Sequence, residues 1–102
     1  MTNKNGEELY ILIIQFTTMI RPSITVGTWT ECKKRLESIV KEVDNSKFSF
    51  KPMYKKIDEE NHTAEASVRC SRKDCNDIYF KYTSMHLFIQ KFENEDKCEL
   101  NI

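Results

Sequence analysis

The sequence predicts an α+β fold in a single small domain: a four-stranded, mostly antiparallel sheet with helices on one face, in the order β-α-β-α-β-β-α. Three observations lead there. An apolar run at 9–16 is too short for a buried helix and rich in β-branched and aromatic residues. A Thr-x-x-Glu capping box at Thr28 and Glu31 opens a stretch with apolar residues at three- and four-residue steps. Short segments of polar–apolar alternation follow. Helices interleaved with mostly antiparallel strands usually pack on one side of one sheet, and 102 residues fit one domain.

The elements follow in order. Residues 1–8 are polar and read as a flexible leader, 9–92 as the domain and 93–102 as a charged tail. The run Leu9-Tyr10-Ile11-Leu12-Ile13-Ile14-Gln15-Phe16 does not alternate, so both faces should be covered, as in a central strand. Residues 17–27, with Arg21-Pro22, read as a loop in which 24–26 can add a short strand. Trp29, Cys32, Leu36, Ile39, Val40 and Val43 share one face of a long helix, opposite Lys33, Lys34, Glu37, Lys41 and Glu42. Asp44-Asn45-Ser46 ends it with turn chemistry.

Lys47-Phe48-Ser49-Phe50-Lys51 alternates and reads as a second strand. Pro52 suits the first turn of a short helix carrying Met53, Tyr54 and Ile57 on one side; the rival reading continues the strand through Tyr54. Ala64, Ala66, Val68 and Cys70 alternate with polar residues in a third strand. A polar turn at 71–76 leads to a fourth strand at 78–82. Thr83-Ser84 then offers an N-cap for a last helix with Met85, Phe88, Ile89 and Phe92 at helical spacing.

This arrangement leaves a problem. The first strand is apolar on both faces, and helices cover only one. Soluble monomers avoid large bare apolar patches, so a second copy of the chain is expected on the other face, in a two-fold homodimer. The contact set is either Tyr10, Leu12 and Ile14 or the alternates Ile11, Ile13 and Phe16.

Composition restricts the function. Lys+Arg and Asp+Glu are equal at 16 each, which argues against strong nonspecific attraction to nucleic acid but allows a local basic patch. The polar start carries no export signal, so a nuclear or cytoplasmic setting with reduced thiols is expected. The sequon Asn61-His62-Thr63 then has no meaning. No membrane span is expected.

No pattern carries catalysis. Gly-x-Ser-x-Gly and Walker patterns are missing, and no local Cys–His arrangement stands out. Cys70-x4-Cys75 with His86 and Cys98 lacks the two close ligand pairs of most zinc sites. Asp58-Glu59-Glu60 lacks calcium-loop spacing and reads as a solvated acidic helix end. His62 reads as a solvated turn residue and Cys32 as a small core hydrophobe. The expectation is a non-enzyme without metal or cofactor.

Binding residues remain. Trp29 is a core anchor or a partner hot spot. Arg69, Arg72, Lys73 and Lys81, interleaved with Tyr79, Phe80 and Tyr82, form either an RNA-contacting surface or, the preferred reading, a core strand beside a solvated turn. Trp29, Tyr79, Phe80 and Tyr82 are the candidate partner-binding residues.

These pieces resemble the enhancer of rudimentary homologue family. The shared features are Ile11-Leu12-Ile13-Ile14-Gln15, Arg21-Pro22, Thr28-Trp29-Thr30-Glu31, Tyr54-x-x-Ile57-Asp58 and Tyr79-Phe80-Lys81-Tyr82 before Met85. The first loop is longer here, the second helix is shorter, and His86 stands where the family has Trp. The resemblance implies a homodimer of four-stranded, three-helix subunits. It also implies a non-enzymatic adaptor that holds short peptide segments of partners in RNA-processing complexes, mRNA or small RNA, with RNA contacted only indirectly. The alternatives are a direct RNA-binding module and a pathogen or phage inhibitor that acts by binding a protein.

Overall fold

The computed structural model describes residues 1–17, 21–74, 76 and 82–93. Its elements are β1 (Tyr10–Phe16), β2 (Ser23–Gly27), α1 (Trp29–Ile39), β3 (Val43–Asp44), β4 (Phe48–Asp58), β5 (Thr63–Arg72) and β6 (Tyr82–Lys91). The six strands form one antiparallel sheet in the order β2-β1-β6-β5-β4-β3, curled into a half-barrel around the helix. The expected four-stranded sheet with three helices is therefore wrong, as is the subunit frame that the resemblance implied. The class is mostly β, with one helix among the described residues.

β1 is a central strand, as expected, between β2 and β6. Its faces are unequal. Tyr10, Leu12 and Ile14 point inward to the helix and are buried, while Ile11 and Ile13 are half-buried on the outer face. The inner layer is completed by Cys32 and Leu36 of α1, Ala66 and Val68 of β5, and Met85, Leu87 and Ile89 of β6. Burying Leu12, Leu36 and Leu87 completely contributes about 1.5–3 kcal/mol each.

The helix begins where expected. The Glu31 N–H donates to Thr28 Oγ1 at 3.2 Å, and the Thr28 N–H donates back to Glu31 Oε1 at 2.9 Å. A Cβ on Gly27 would lie 2.8 Å from Glu31 Oε1, so a larger residue there would press on the carboxylate that closes the cap. The helix is shorter than its apolar periodicity. Val43 leaves it to pair with Phe50 in β3, and Ile39 and Val40 pack on the core edge.

Two expected helices are strands. At 52–58 the rival reading holds: β4 runs on through Tyr54, pairing with β5 throughout. The register slips between Pro52 and Tyr54, where Met53 is the extra residue of a bulge. The bulge reverses the alternation, so Tyr54 faces outward and Ile57 inward. At 85–92 both periods fit the sequence. Met85, Leu87 and Ile89 are the buried residues, and period two wins because β1 and β5 pair on both sides. Tyr82 begins this strand; the expected fourth strand at 78–82 otherwise lies outside the described residues.

No helix among the described residues is long and apolar enough to cross a membrane.

Candidate functional site

The outer face of the sheet is the face that α1 does not cover, and the cross-strand register orders its side chains into rows. One row reads Ile24, Ile13, Phe88, Glu65 and Lys56 from β2 to β4. Beside it Val26 pairs with Ile11. Ile24 is 57% exposed and Val26 47%, far above any core residue. Ile11, Ile13, Ile24, Val26 and Phe88 thus make a continuous apolar corner.

The face turns polar away from that corner. The next row is Gln15, His86, Ser67 and Tyr54; beyond it lie Ser84, Arg69 and Lys51, then Tyr82, Ser71 and Ser49. The two halves differ in chemistry because the polar positions of β5 and β6 cluster at one end of those strands.

The edges of the sheet also differ. Beyond the two residues of β3, β4 carries Lys51, Pro52, the Met53 bulge, Lys55 and Lys56. Prolines, bulges and lysines are the usual guards against unwanted strand pairing. β2 is the opposite edge and reads Ser-Ile-Thr-Val-Gly, with no charge, proline or bulge.

A second cluster lies where α1 meets the β4–β5 turn. The Trp29 and His62 rings stack at 5.0 Å with planes 16° apart, and Tyr10 meets both edge-on. Tyr10 Oη lies 2.9 Å from His62 Nδ1. Trp29 Nε1 donates to Glu59 Oε1 at 2.9 Å, and Lys33 Nζ donates to Glu59 Oε2 at 2.6 Å. The Lys33 ammonium holds the Glu59 carboxyl below its ordinary range, with the indole N–H adding to the effect. Asp58 Oδ1 accepts the N–H groups of Glu60 and Asn61, and Asn61 holds the Asp58 carboxyl low in the same way. This acidic segment is a strand-to-strand turn, not a helix end.

These contacts settle several sequence expectations. Trp29 is 8% exposed and is a core anchor. His62 is not free in solvent; it adopts φ +54° and closes over the indole. Its role leaves no local signal in the sequence, because its partners lie 33 and 52 positions away. Of the dimer candidates, Ile11 and Ile13 are on the outer face, while Tyr10, Leu12 and Ile14 belong to the core. Phe16 does not join Ile11 and Ile13, since it packs against the inner cluster. Tyr82 is 54% exposed on the outer face; Tyr79 and Phe80 lie outside the described residues.

Of the possible zinc ligands, the two described ones, Cys70 and His86, lie on opposite faces of the sheet. Cys70 is buried on the inner face, His86 lies on the outer one, and Cys75 and Cys98 lie outside the described residues. Cys32 is buried with its Sγ 3.6 Å from the Tyr10 carbonyl, and burial pushes both thiols above their ordinary range. A raised thiol is a poor nucleophile. Among the described residues no three metal-ligating side chains come together. Comparison with protein-family models, curated proteins and solved structures gives no match for this chain.

Proposed function

We propose that the protein is a non-enzymatic homodimeric adaptor that binds extended segments of partner proteins. The observation that carries the reading is the contiguity of the apolar corner with the unguarded β2 edge. Two copies cover Ile11, Ile13 and Phe88 by meeting outer face to outer face. The main-chain groups on the outer side of β2, which no described strand pairs, then take an added strand, with Ile24 and Val26 flanking it.

The setting in an RNA-processing complex, nuclear or cytoplasmic, is supported by the short sequence pieces shared with the enhancer of rudimentary homologues. It draws nothing from the architecture, which differs from theirs.

The test compares affinity purifications of the wild type and Ile24→Lys, with mass spectrometry of what is retained. A lysine on the edge guards it against strand addition. Protein partners recovered by the wild type and lost by Ile24→Lys, at unchanged dimerisation, support the adaptor. An identical set of partners from both proteins, or no protein from either, contradicts it.

A further inference from the structure

The polar half of the outer face has a chemistry that peptide capture does not use. Arg69 of β5 stands between Lys51 of β4 and Ser84 of β6 in one cross-strand row. Neither cation has a carboxylate partner among the described residues, whereas Lys33, Lys55, Lys73 and Lys91 all do. Arg69, Tyr82, Thr83, Ser84 and Thr17 line an open cavity of about 360 Å³, with no acid among the described residues of its wall. Hydroxyls and unpaired cations without carboxylates select anions.

Two further observations give the anion a shape. Tyr54, hydrogen-bonded to Glu65, is 45% exposed and Tyr82 54%, both on this face, with the Ser84–Arg69–Lys51 row between their rows. Tyr54 faces outward only because of the Met53 bulge, a device that re-aims side chains. Beside Tyr54, Ser67 is 8% exposed, and its hydroxyl makes no hydrogen bond within the described residues. Buried polar groups left without a partner call for one.

We infer that this half of the sheet binds a single-stranded nucleic acid. Arg69 and Lys51 take backbone phosphates, Tyr82 and Tyr54 stack on bases, and the Ser84 and Ser67 hydroxyls supply polar contacts between them. An unstacked strand presents alternating phosphates and flat rings, which is how cations and aromatics are spaced on this face. A phosphorylated peptide uses Arg69 and the hydroxyls but gives no role to two outward tyrosines. The chain is neutral overall, so the interaction is local: two phosphate contacts give a slope of about −1.4 in log affinity against log salt. Arg69, Lys51 and Tyr82 lie two or more rows from Phe88 and far from the β2 edge, so loss of strand capture at Ile24 leaves the inference standing.

Fluorescence anisotropy with a labelled oligouridylate of about eight nucleotides tests it, a length within the usual site size of one small module. Arg69→Gln with Lys51→Gln should flatten the salt slope toward zero. Tyr82→Ala should weaken binding at least about fivefold at constant slope, the loss expected for one stacked base. All variants should melt with the wild type. Failure to bind the oligonucleotide at low salt overturns the inference, as does binding that these variants leave unchanged. Equal affinity for a phosphoserine peptide or for tripolyphosphate, insensitive to Tyr82→Ala, also overturns it in favour of a simple anion site.

Discussion

Trp29 and His62, one from the first turn of the helix and one from the β4–β5 turn, stack face to face at 5.0 Å. The stack fastens the long β4–β5 hairpin to the helix, and the backbone of His62 adopts a left-handed φ of +54° to make it. A residue with a Cβ adopts that conformation at a cost that glycine escapes. His62→Ala should therefore lose the stack and the Tyr10 hydrogen bond while keeping the strain, for about 1–2 kcal/mol. His62→Gly should cost less than His62→Ala, the reverse of the usual order. Urea unfolding of the two variants checks this.

Acid should release the same corner. Lys33, then the Trp29 indole, lowers the Glu59 carboxyl below its ordinary value of 4.5. A group with a depressed folded value stabilises the fold above its unfolded value, and the benefit fades as pH falls through the folded one. The single tryptophan reports it directly. Trp29 emission should show a step with its midpoint below pH 4.5, and Glu59→Gln should remove that step.

Strand or helix at 82–91 can be settled by two truncations. With period two, Leu87 is fully buried and Phe88 is on the outer face. Leu87→Ala should cost about 2–5 kcal/mol, and Phe88→Ala much less. A helical face made of Met85, Phe88, Ile89 and Phe92 would give the opposite order. Chemical denaturation distinguishes them.

The sequence was most legible where local signals agree. Thr28 and Glu31 announced the helix because a capping box is a contact within one turn. The unbroken run in β1 marked a central strand, and Ala64, Ala66, Val68 and Cys70 marked β5 by strict alternation. The errors came where local signals were ambiguous. Met85, Leu87, Phe88 and Ile89 satisfy both periods, and only pairing with β1 and β5 decides between them. Pro52 suggested a helix start, whereas it occupies a strand next to a bulge. The first hid β6 and the second cut β4 short; the sheet also gains β2, read mainly as loop, and β3, read as the end of the first helix. The candidate surface was half legible: apolar residues on both faces of β1 demanded a second cover, but the face that needs it emerged only once the helix had been placed. The Trp29–His62–Glu59 cluster joins two segments about thirty positions apart and leaves no short-range mark.

Sedimentation equilibrium at micromolar concentration tests the account most directly. An outer face carrying Ile11, Ile13 and Phe88 should be covered by a second copy, with Ile24 and Val26 left open at its β2 margin. The wild type should sediment as a dimer. Ile13→Asp buries an unpaired charge in that contact at several kcal/mol, so it should weaken association at least about a hundredfold. Leu12 lies on the other face of the same strand, and Leu12→Ala should lower stability yet leave association intact. A wild type that remains monomeric at this concentration, or an Ile13→Asp variant that dimerises as the wild type does, would contradict it.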